Sequence, residues 1–297
     1  MDALISWLAE NCDSEKLKKH WTEDACVDMV PDPSSGYGDR VLRSTGKLRR
    51  NLRLPVPPAC ILTMDKIETS RVGQALRGLD RYTLFAVFLV HEKRCGDASF
   101  WKPYLDILPQ NMQFHPITFL DRQRTCQALA DALQKEKLLL RALEAQQEKL
   151  RGEFSRAQQL LSLHSIKDMP ELCLAFPVDQ PLTYEEFIWA SSMVVSRAFN
   201  MVEPKIMCML PFADSMNHNA ANPTVQWRPK LPKGFFVVTI MQDLEPGAEL
   251  TANYHGENSS SKASKSDMDD LRNFVMYGFV ETDAFAEVRK AALLDEK

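Results

Sequence analysis

The chain has no Cys-x-x-Cys or Cys-x-Cys pair among its seven cysteines. A structural zinc site built from thiolates needs such close spacing, so no metal is expected. The thiols at 12, 26, 60, 95, 126, 173 and 208 are odd in number and dispersed, which suits reduced cysteines in a cytoplasmic or nuclear setting. No apolar run approaches the ~20 residues of a membrane-spanning helix, and no signal peptide is recognised, so no contact with a membrane is expected. Excess positive charge is missing too. Lys and Arg total 36 against 40 Asp and Glu, a net charge of −4, which argues against a nucleic-acid partner. Gly36-Tyr37-Gly38 has neither a third glycine nor a helix start behind it, so it is not a dinucleotide fingerprint.

What remains is an ordinary globular composition, 45% apolar and 26% charged, over 297 residues. That length buries a sizeable core in one large domain or two. The most informative stretch runs from Ile206 to His218. An apolar run through Phe212 stops abruptly in Asp214-Ser215-Met216-Asn217-His218. Such a run reads as a buried strand, and Asn, Asp and Ser mark its end, where binding sites are often built. A strand Phe235–Ile240, a turn at Glu245-Pro246-Gly247 and a strand Glu249–Tyr254 follow. In that turn Pro presets φ and Gly supplies positive φ. The apolar run Phe274-Val275-Met276-Tyr277-Gly278-Phe279-Val280 reads as a last strand.

Taken together, Asp214, Asn217, His218, Tyr254 and Tyr277-Gly278-Phe279 resemble the SET-domain methyltransferases, in the branch similar to the RuBisCO large-subunit methyltransferase. The resemblance extends upstream to Phe100-Trp101-Lys102-Pro103-Tyr104-Leu105-Asp106-Ile107-Leu108-Pro109, an aromatic packing corner. It implies an α+β fold: short β-sheets around a knot-like site, with a helical insert. The scattered cysteines set the chain apart from histone-directed SET enzymes with cysteine-rich flanks. The resemblance also implies S-adenosylmethionine as cofactor and a protein as substrate. Gly36, Tyr37 and Gly38 then lie against the methionine end of the cofactor, where glycine lets backbone approach closely. Asp39 stands where the branch has an apolar residue. Arg40, Glu92, Arg197, Asp214, Asn217, His218, Tyr254, Tyr277 and Phe279 fall at cofactor-contacting positions. Phe199 and Tyr277 fall at the acceptor channel, and Tyr254 at the catalytic position.

The rest of the chain reads more simply. Residues 1–30 are a helical segment, with Leu4, Trp7 and Leu8 on one side and a break at Asn11-Cys12-Asp13. Residues 31–109 form the first part of the SET domain. Arg53–Thr63 is extended around its prolines, and Leu79–Glu92 is a buried helix. Residues 110–200 are the helical insert. Positions 126, 129, 133, 136, 140, 143, 147, 150, 154, 157 and 161 keep a 3,4 spacing, a stripe like that of a coiled coil. One helix over 121–163 would run ~60 Å, against ~40–50 Å for a compact domain of this size. It must fold back, near Gly152, or project as an arm for a partner or a second copy. Thr183 and Glu186 form a capping box for a helix ending at Arg197. Residues 201–281 complete the SET domain, with a polar loop over Glu257–Asp270. In the branch a helical substrate-binding domain follows. Here residues 282–297 are expected to be its start, with little or nothing of the domain present.

Methyl transfer to lysine needs the neutral amine, which costs roughly 4–5 kcal/mol at pH 7. A narrow apolar channel beside a sulfonium lowers that cost, so no strong general base is required. The residues leave three activities open: lysine N-methylation of a non-histone protein, histidine N-methylation of a protein, or an idle SET-like scaffold. Apolar Phe199 counts against histidine, and intact Tyr254, Asn217 and Arg197 count against the scaffold.

Overall fold

The computed structural model describes residues 1–31, 40–110, 112, 115–163, 169, 174–201, 206–219, 221–230, 235–254, 267–278, 280 and 282–293. Gly36, Tyr37, Gly38 and Phe279 lie outside the described residues, as does most of the 257–270 loop. The chain divides into two compact units. The first is Met1–Thr63, Phe100–Leu108 and Ala198–Ala263; the second is Met64–Ser99, Pro109–Arg197 and Ser264–Lys297.

The first unit holds the sheets. Its strands are β1 (Val27–Pro31), β2 (Arg40–Ser44), β3 (Arg53–Val56), β4 (Leu62–Thr63), β5 (Phe199–Met201), β6 (Ile206–Met209), β7 (Asn217–His218), β8 (Val225–Lys230), β9 (Phe235–Ile240) and β10 (Thr251–Ala252). They form a pair β1-β2, a sheet in the order β3-β9-β8-β10-β7, and a sheet β4-β6-β5. Pro55 cannot donate to a ladder, and β3 is accordingly an edge strand. β10 lies between β7 and β8, which precede it in sequence, and runs parallel to both. The Glu245-Pro246-Gly247 turn forms as its chemistry demands. Gly247 has φ of 88°, and Ala248 N–H donates to the Glu245 carbonyl at 3.1 Å. The N-terminal helix Asp2–Glu10 buries Leu4, Trp7 and Leu8 and stops at Asn11. Ser14 then caps a second short helix, Glu15–Lys19. Trp7 and Phe100 both pack against Trp101, which gives the aromatic corner its physical content.

The second unit is helical. Asp80 caps the helix Arg81–Cys95 by accepting the N–H groups of Tyr82 and Thr83, and Thr83 through His91 are buried. The capping box opens the helix Tyr184–Arg197. Thr183 N–H donates to Glu186 at 3.0 Å, and Glu186 N–H returns to the Thr183 hydroxyl at 3.2 Å. Arg94 joins the two helices: it donates to both Glu186 oxygens, at 2.8 and 2.6 Å, and to the Ala175, Gln180 and Pro181 carbonyls.

Two sequence expectations change here. The 121–163 segment is not one helix. Phe119–Arg122, Gln127–Lys135 and Lys137–Ser162 are separate, and the second break falls at Glu136 (φ −100°, ψ 67°) rather than Gly152. Gly152 stays helical, and nothing crowds the Cβ it lacks. The break lets Leu129 and Leu133 on one side, and Leu139 and Leu143 on the other, enter the same core. Much of the stripe is therefore covered by the chain itself. Secondly, Tyr277 ends a helix, Asp267–Tyr277, not a strand. Phe274 fills the core from one face of it. Gly278, at φ 77°, closes it with an N–H bond to the Phe274 carbonyl at 2.8 Å. Asp267–Asp270, expected in the polar loop, form its first turn. After it comes a helix, Ala286–Leu293, whose Val288, Ala291 and Ala292 pack into this same core.

Candidate functional site

The residues expected to form one site fall in both units: Arg40, Phe199, Asp214, Asn217, His218 and Tyr254 in the first, Glu92, Arg197 and Tyr277 in the second.

In the first unit the chain enters the site through a strained residue. Phe212 has φ of 76°, a region bulky side chains avoid at a cost of order 1–3 kcal/mol. It is fully buried, with Trp21 edge-on at 5.0 Å between ring centroids. The turn it opens delivers Asp214, which is 8% exposed and accepts from the Tyr104 hydroxyl and, at 3.5 Å, from Ser215. Burial, with the Asp214 charge adding to it, pushes the Cys208 thiol up to about 12, so that sulfur stays protonated at neutral pH. Arg40 reaches the Ile107 carbonyl at 2.9 Å.

Asn217 and His218 follow as β7, paired with Thr251 and Ala252 of β10. That register places Tyr254, two residues beyond β10, over the end of the short strand. Its backbone N–H donates to His218 Nδ1 at 3.0 Å, and its hydroxyl donates to the Met216 carbonyl at 2.5 Å. An N–H can only donate, so Nδ1 of His218 bears the lone pair. The phenol proton of Tyr254 is committed to the Met216 carbonyl. Asn217 Nδ2 donates to the Glu249 carboxylate at 2.9 Å.

A row of rings runs through the same unit. His218 and Tyr254 are 5.0 Å apart, Tyr254 and Trp227 6.0 Å, Trp227 and Phe199 5.1 Å, and Phe199 and Phe236 5.9 Å. Phe199, expected at the acceptor channel, and Tyr254, expected at the catalytic position, are thus joined through Trp227. Sequence reading missed Trp227 and gave no role to Glu249. The available signal for Trp227 was its place two residues after Val225 in an extended segment, on the same strand face.

In the second unit Glu92 is already bonded. His91 Nδ1 lies 3.0 Å from one oxygen, and the Ser99 hydroxyl donates to the other at 2.7 Å. Arg197 is the last residue of its helix, where a cation also favours the helix dipole. Burial pushes the Tyr277 phenol above its ordinary value, with Arg272 opposing and Tyr82 adding. Tyr277 is therefore neutral at physiological pH.

Comparison with known proteins agrees on the fold. The SET domain of LSMT, in its crystal structure bound to lysine and AdoHcy, matches with a TM-score of 0.65 at 20% identity, over 94% of this chain and 57% of that one. Among curated relatives, mouse SET domain-containing protein 4 is 28% identical over 217 residues, 68% of this chain and 45% of the relative. The chloroplastic [fructose-bisphosphate aldolase]-lysine N-methyltransferase of Arabidopsis thaliana is 28% identical over 193 residues, 65% of this chain and 35% of the relative. The chain spans less than half the length of these curated relatives. No family model matches it. The resemblance read from Asp214, Asn217, His218, Tyr254 and the Trp101 corner is thus to the proteins that sequence and fold comparison also find. Among the described residues, no helix is long and apolar enough to cross a membrane.

Proposed function

We propose that this chain, with the SET fold of the Rubisco large-subunit methyltransferases, is a protein-lysine N-methyltransferase that uses S-adenosylmethionine and acts on a non-histone protein. The observation that carries the reading is the setting of Tyr254. Its proton is held by the Met216 carbonyl, its ring lies beside Trp227, and its backbone is tied to His218.

The residues present fit the cofactor. The Asn217 carboxamide is fixed by Glu249 and turns an acceptor outward, suited to the ammonium of the cofactor's amino-acid end. The His218 backbone, at the edge strand β7, suits the adenine end. When bound, the cofactor supplies an electrophilic methyl on a sulfonium. Arg40, Asp214, Glu92, Arg197, Tyr277 and the Gly36-Tyr37-Gly38 and Phe279 positions are assigned to the cofactor by the resemblance, and Tyr277 also to the acceptor.

This chain's own contribution to the chemistry is position and dielectric. A lysine entering along Phe199 and Trp227 leaves water for aromatic surface, which disfavours its charged form. That supplies part of the roughly 4–5 kcal/mol needed to present a neutral amine at pH 7. The Tyr254 oxygen then aligns the reacting groups, and alignment alone is worth several kcal/mol. The rings around Phe199 favour an alkyl amine over an imidazole, which would want a polar partner. Association through the long helix is no part of this reading, because Leu129, Leu133 and Leu143 are buried in the chain's own core. The cytoplasmic or nuclear setting suggested by the scattered thiols is retained as part of it.

The test is incubation of the purified chain with methyl-labelled S-adenosylmethionine and a cell lysate, followed by fragment mass spectrometry of the labelled proteins. A methylated lysine on a non-histone protein supports the reading. Label on histidine alone, or no label alongside no cofactor binding, overturns it.

A further inference from the structure

The Asn217–Glu249 bond joins residues 32 apart in sequence and lies outside the backbone ladder. Glu249 sits one residue before Leu250, whose N–H donates to the Leu42 carbonyl at 2.8 Å, and two before Thr251, which pairs with Asn217. Its own backbone carbonyl accepts from the Thr224 hydroxyl at 3.1 Å, and its backbone forms an isolated antiparallel β-bridge with Arg43. The carboxylate is therefore carried on backbone fastened to both β2 and the start of β8. It is partly buried, as is Asn217.

A carboxamide has a donor end and an acceptor end of nearly the same shape, and either can face a polar neighbour. An ionised carboxylate offers only acceptors. With Glu249 at 2.9 Å, the Asn217 amide has one satisfactory orientation: Nδ2 toward Glu249 and Oδ1 away. Oδ1 is the end that can receive an ammonium. With a neutral partner able to donate as well as accept, that choice is lost. The flipped amide presents an NH2 group to the cation and repels it.

We infer that Glu249 is a positioning residue for the cofactor: it fixes the carboxamide of Asn217 so that Oδ1 receives the α-ammonium of S-adenosylmethionine. The inference rests on the proposed cofactor reading and deepens it. Glu249 acts through Asn217, and its carboxylate also places negative charge behind the amide that meets the cation.

The test is calorimetric binding of S-adenosylmethionine and of 5′-methylthioadenosine, which lacks the amino-acid end, to the wild type, Glu249→Gln, Asn217→Ala and the double variant. The expected result is an affinity loss of about ten- to a hundredfold for S-adenosylmethionine in Glu249→Gln, the range for a hydrogen bond to a charged group. Affinity for 5′-methylthioadenosine should stay within about twofold. On the Asn217→Ala background, Glu249→Gln should add less than about twofold, because the amide it orients is gone. Equal losses for both ligands, or a full further loss in the double variant, would mean that Glu249 supports the fold alone. Unchanged S-adenosylmethionine affinity in Glu249→Gln overturns the role while leaving the cofactor reading intact. Failure of the wild type to bind S-adenosylmethionine removes both. Thermal melting of each variant without ligand shows whether an affinity loss comes from unfolding.

Discussion

His115 should make the helical unit acid-sensitive in a window that carboxylates do not explain. The imidazole is 5% exposed. Its Nδ1 accepts the Ile117 N–H at 3.2 Å, and its Nε2 lies 3.0 Å from the Met276 carbonyl, one of the carbonyls left open at the end of the helix Asp267–Tyr277. The neutral ring with its proton on Nε2 satisfies both partners. Protonation would set a second donor against the Ile117 N–H and put a charge where there is little water. Burial accordingly pulls the ring down from 6.5 to about 4, with the Met276 bond opposing. A histidine with a lowered folded pKa gives stability that is complete above the unfolded value and is lost as pH falls toward the folded one. Between pH 6.5 and 4 the unfolded chain binds the extra proton, so stability falls with falling pH. A shift from 6.5 to about 4 is worth about 3 kcal/mol in total, most of it spent by pH 4.5. Glu186 acts lower down. Burial opposes its ionisation, but hydrogen bonds from Arg94 and Thr183 more than compensate and hold it below the usual range, so its loss begins below about pH 4.5. The assay is urea unfolding followed by the fluorescence of Trp189, the one tryptophan of the second unit, at several pH values from 7.5 to 4.5. The control is His115→Gln, which keeps a donor and an acceptor but does not titrate. The wild type should lose about 2–3 kcal/mol over this range, and the variant, less stable at pH 7.5, should lose little. Parallel pH curves would refute the assignment of the acid-sensitive step to His115.

Other outcomes follow from the site and the core. Tyr254→Phe keeps the ring row and deletes the hydroxyl bonded to Met216, so single-turnover methyl transfer should slow roughly 10²–10³-fold with cofactor affinity little changed; near-normal turnover would move the catalytic role elsewhere. Asn217→Ala should weaken cofactor binding in calorimetry while the protein stays folded, because the residue sits on the edge strand β7. Leu143→Ala should cost about 2–5 kcal/mol in denaturant unfolding, since Leu143 is 2% exposed in the core that holds Phe274 and Ala291; a near-neutral effect would mean that the stripe faces outward.

The parts legible in the sequence were those decided locally. A capping box is a contract between residues three apart, and Thr183 and Glu186 meet it. A Pro-Gly turn needs only its own φ values, and Gly247 has them. The apolar run that starts at Ile206 marked the buried strand β6, because such a run and its polar end are written in adjacent residues. The failures needed tertiary context. Phe274–Val280 is apolar nearly throughout, and a run that short has no period to separate strand from helix. The helix won because Phe274, with Val288 and Ala291, closes a core that the sequence does not display. Glu136 carries no breaker chemistry, yet the helix breaks there so that leucines on both sides reach one core. Trp227 and Glu249 come beside Tyr254 and Asn217 only through the pairing of β10. Nothing local states that a late strand slips between two earlier neighbours and brings Glu249 to Asn217.

That late insertion also explains where the strain is tolerated. Between β6 and β7 the chain must leave one sheet and join the edge of another, with Asp214 turned toward Tyr104 on the way. An extended or helical Phe212 would carry the chain straight on; the positive φ bends it. Glycine would bend at less cost, but it would remove the ring that packs edge-on against Trp21. Burying a side chain of that size is worth about 1.5–3 kcal/mol, comparable with the 1–3 kcal/mol of strain. The two roughly cancel, so the choice of phenylalanine is not settled by energy of burial alone. What the ring adds is a fixed link. Trp21 is itself tied to β3 by its Nε1 bond to the Pro55 carbonyl at 2.7 Å. The bend that delivers Asn217 and His218 on one edge of the five-stranded sheet is thereby referred to β3 on the other.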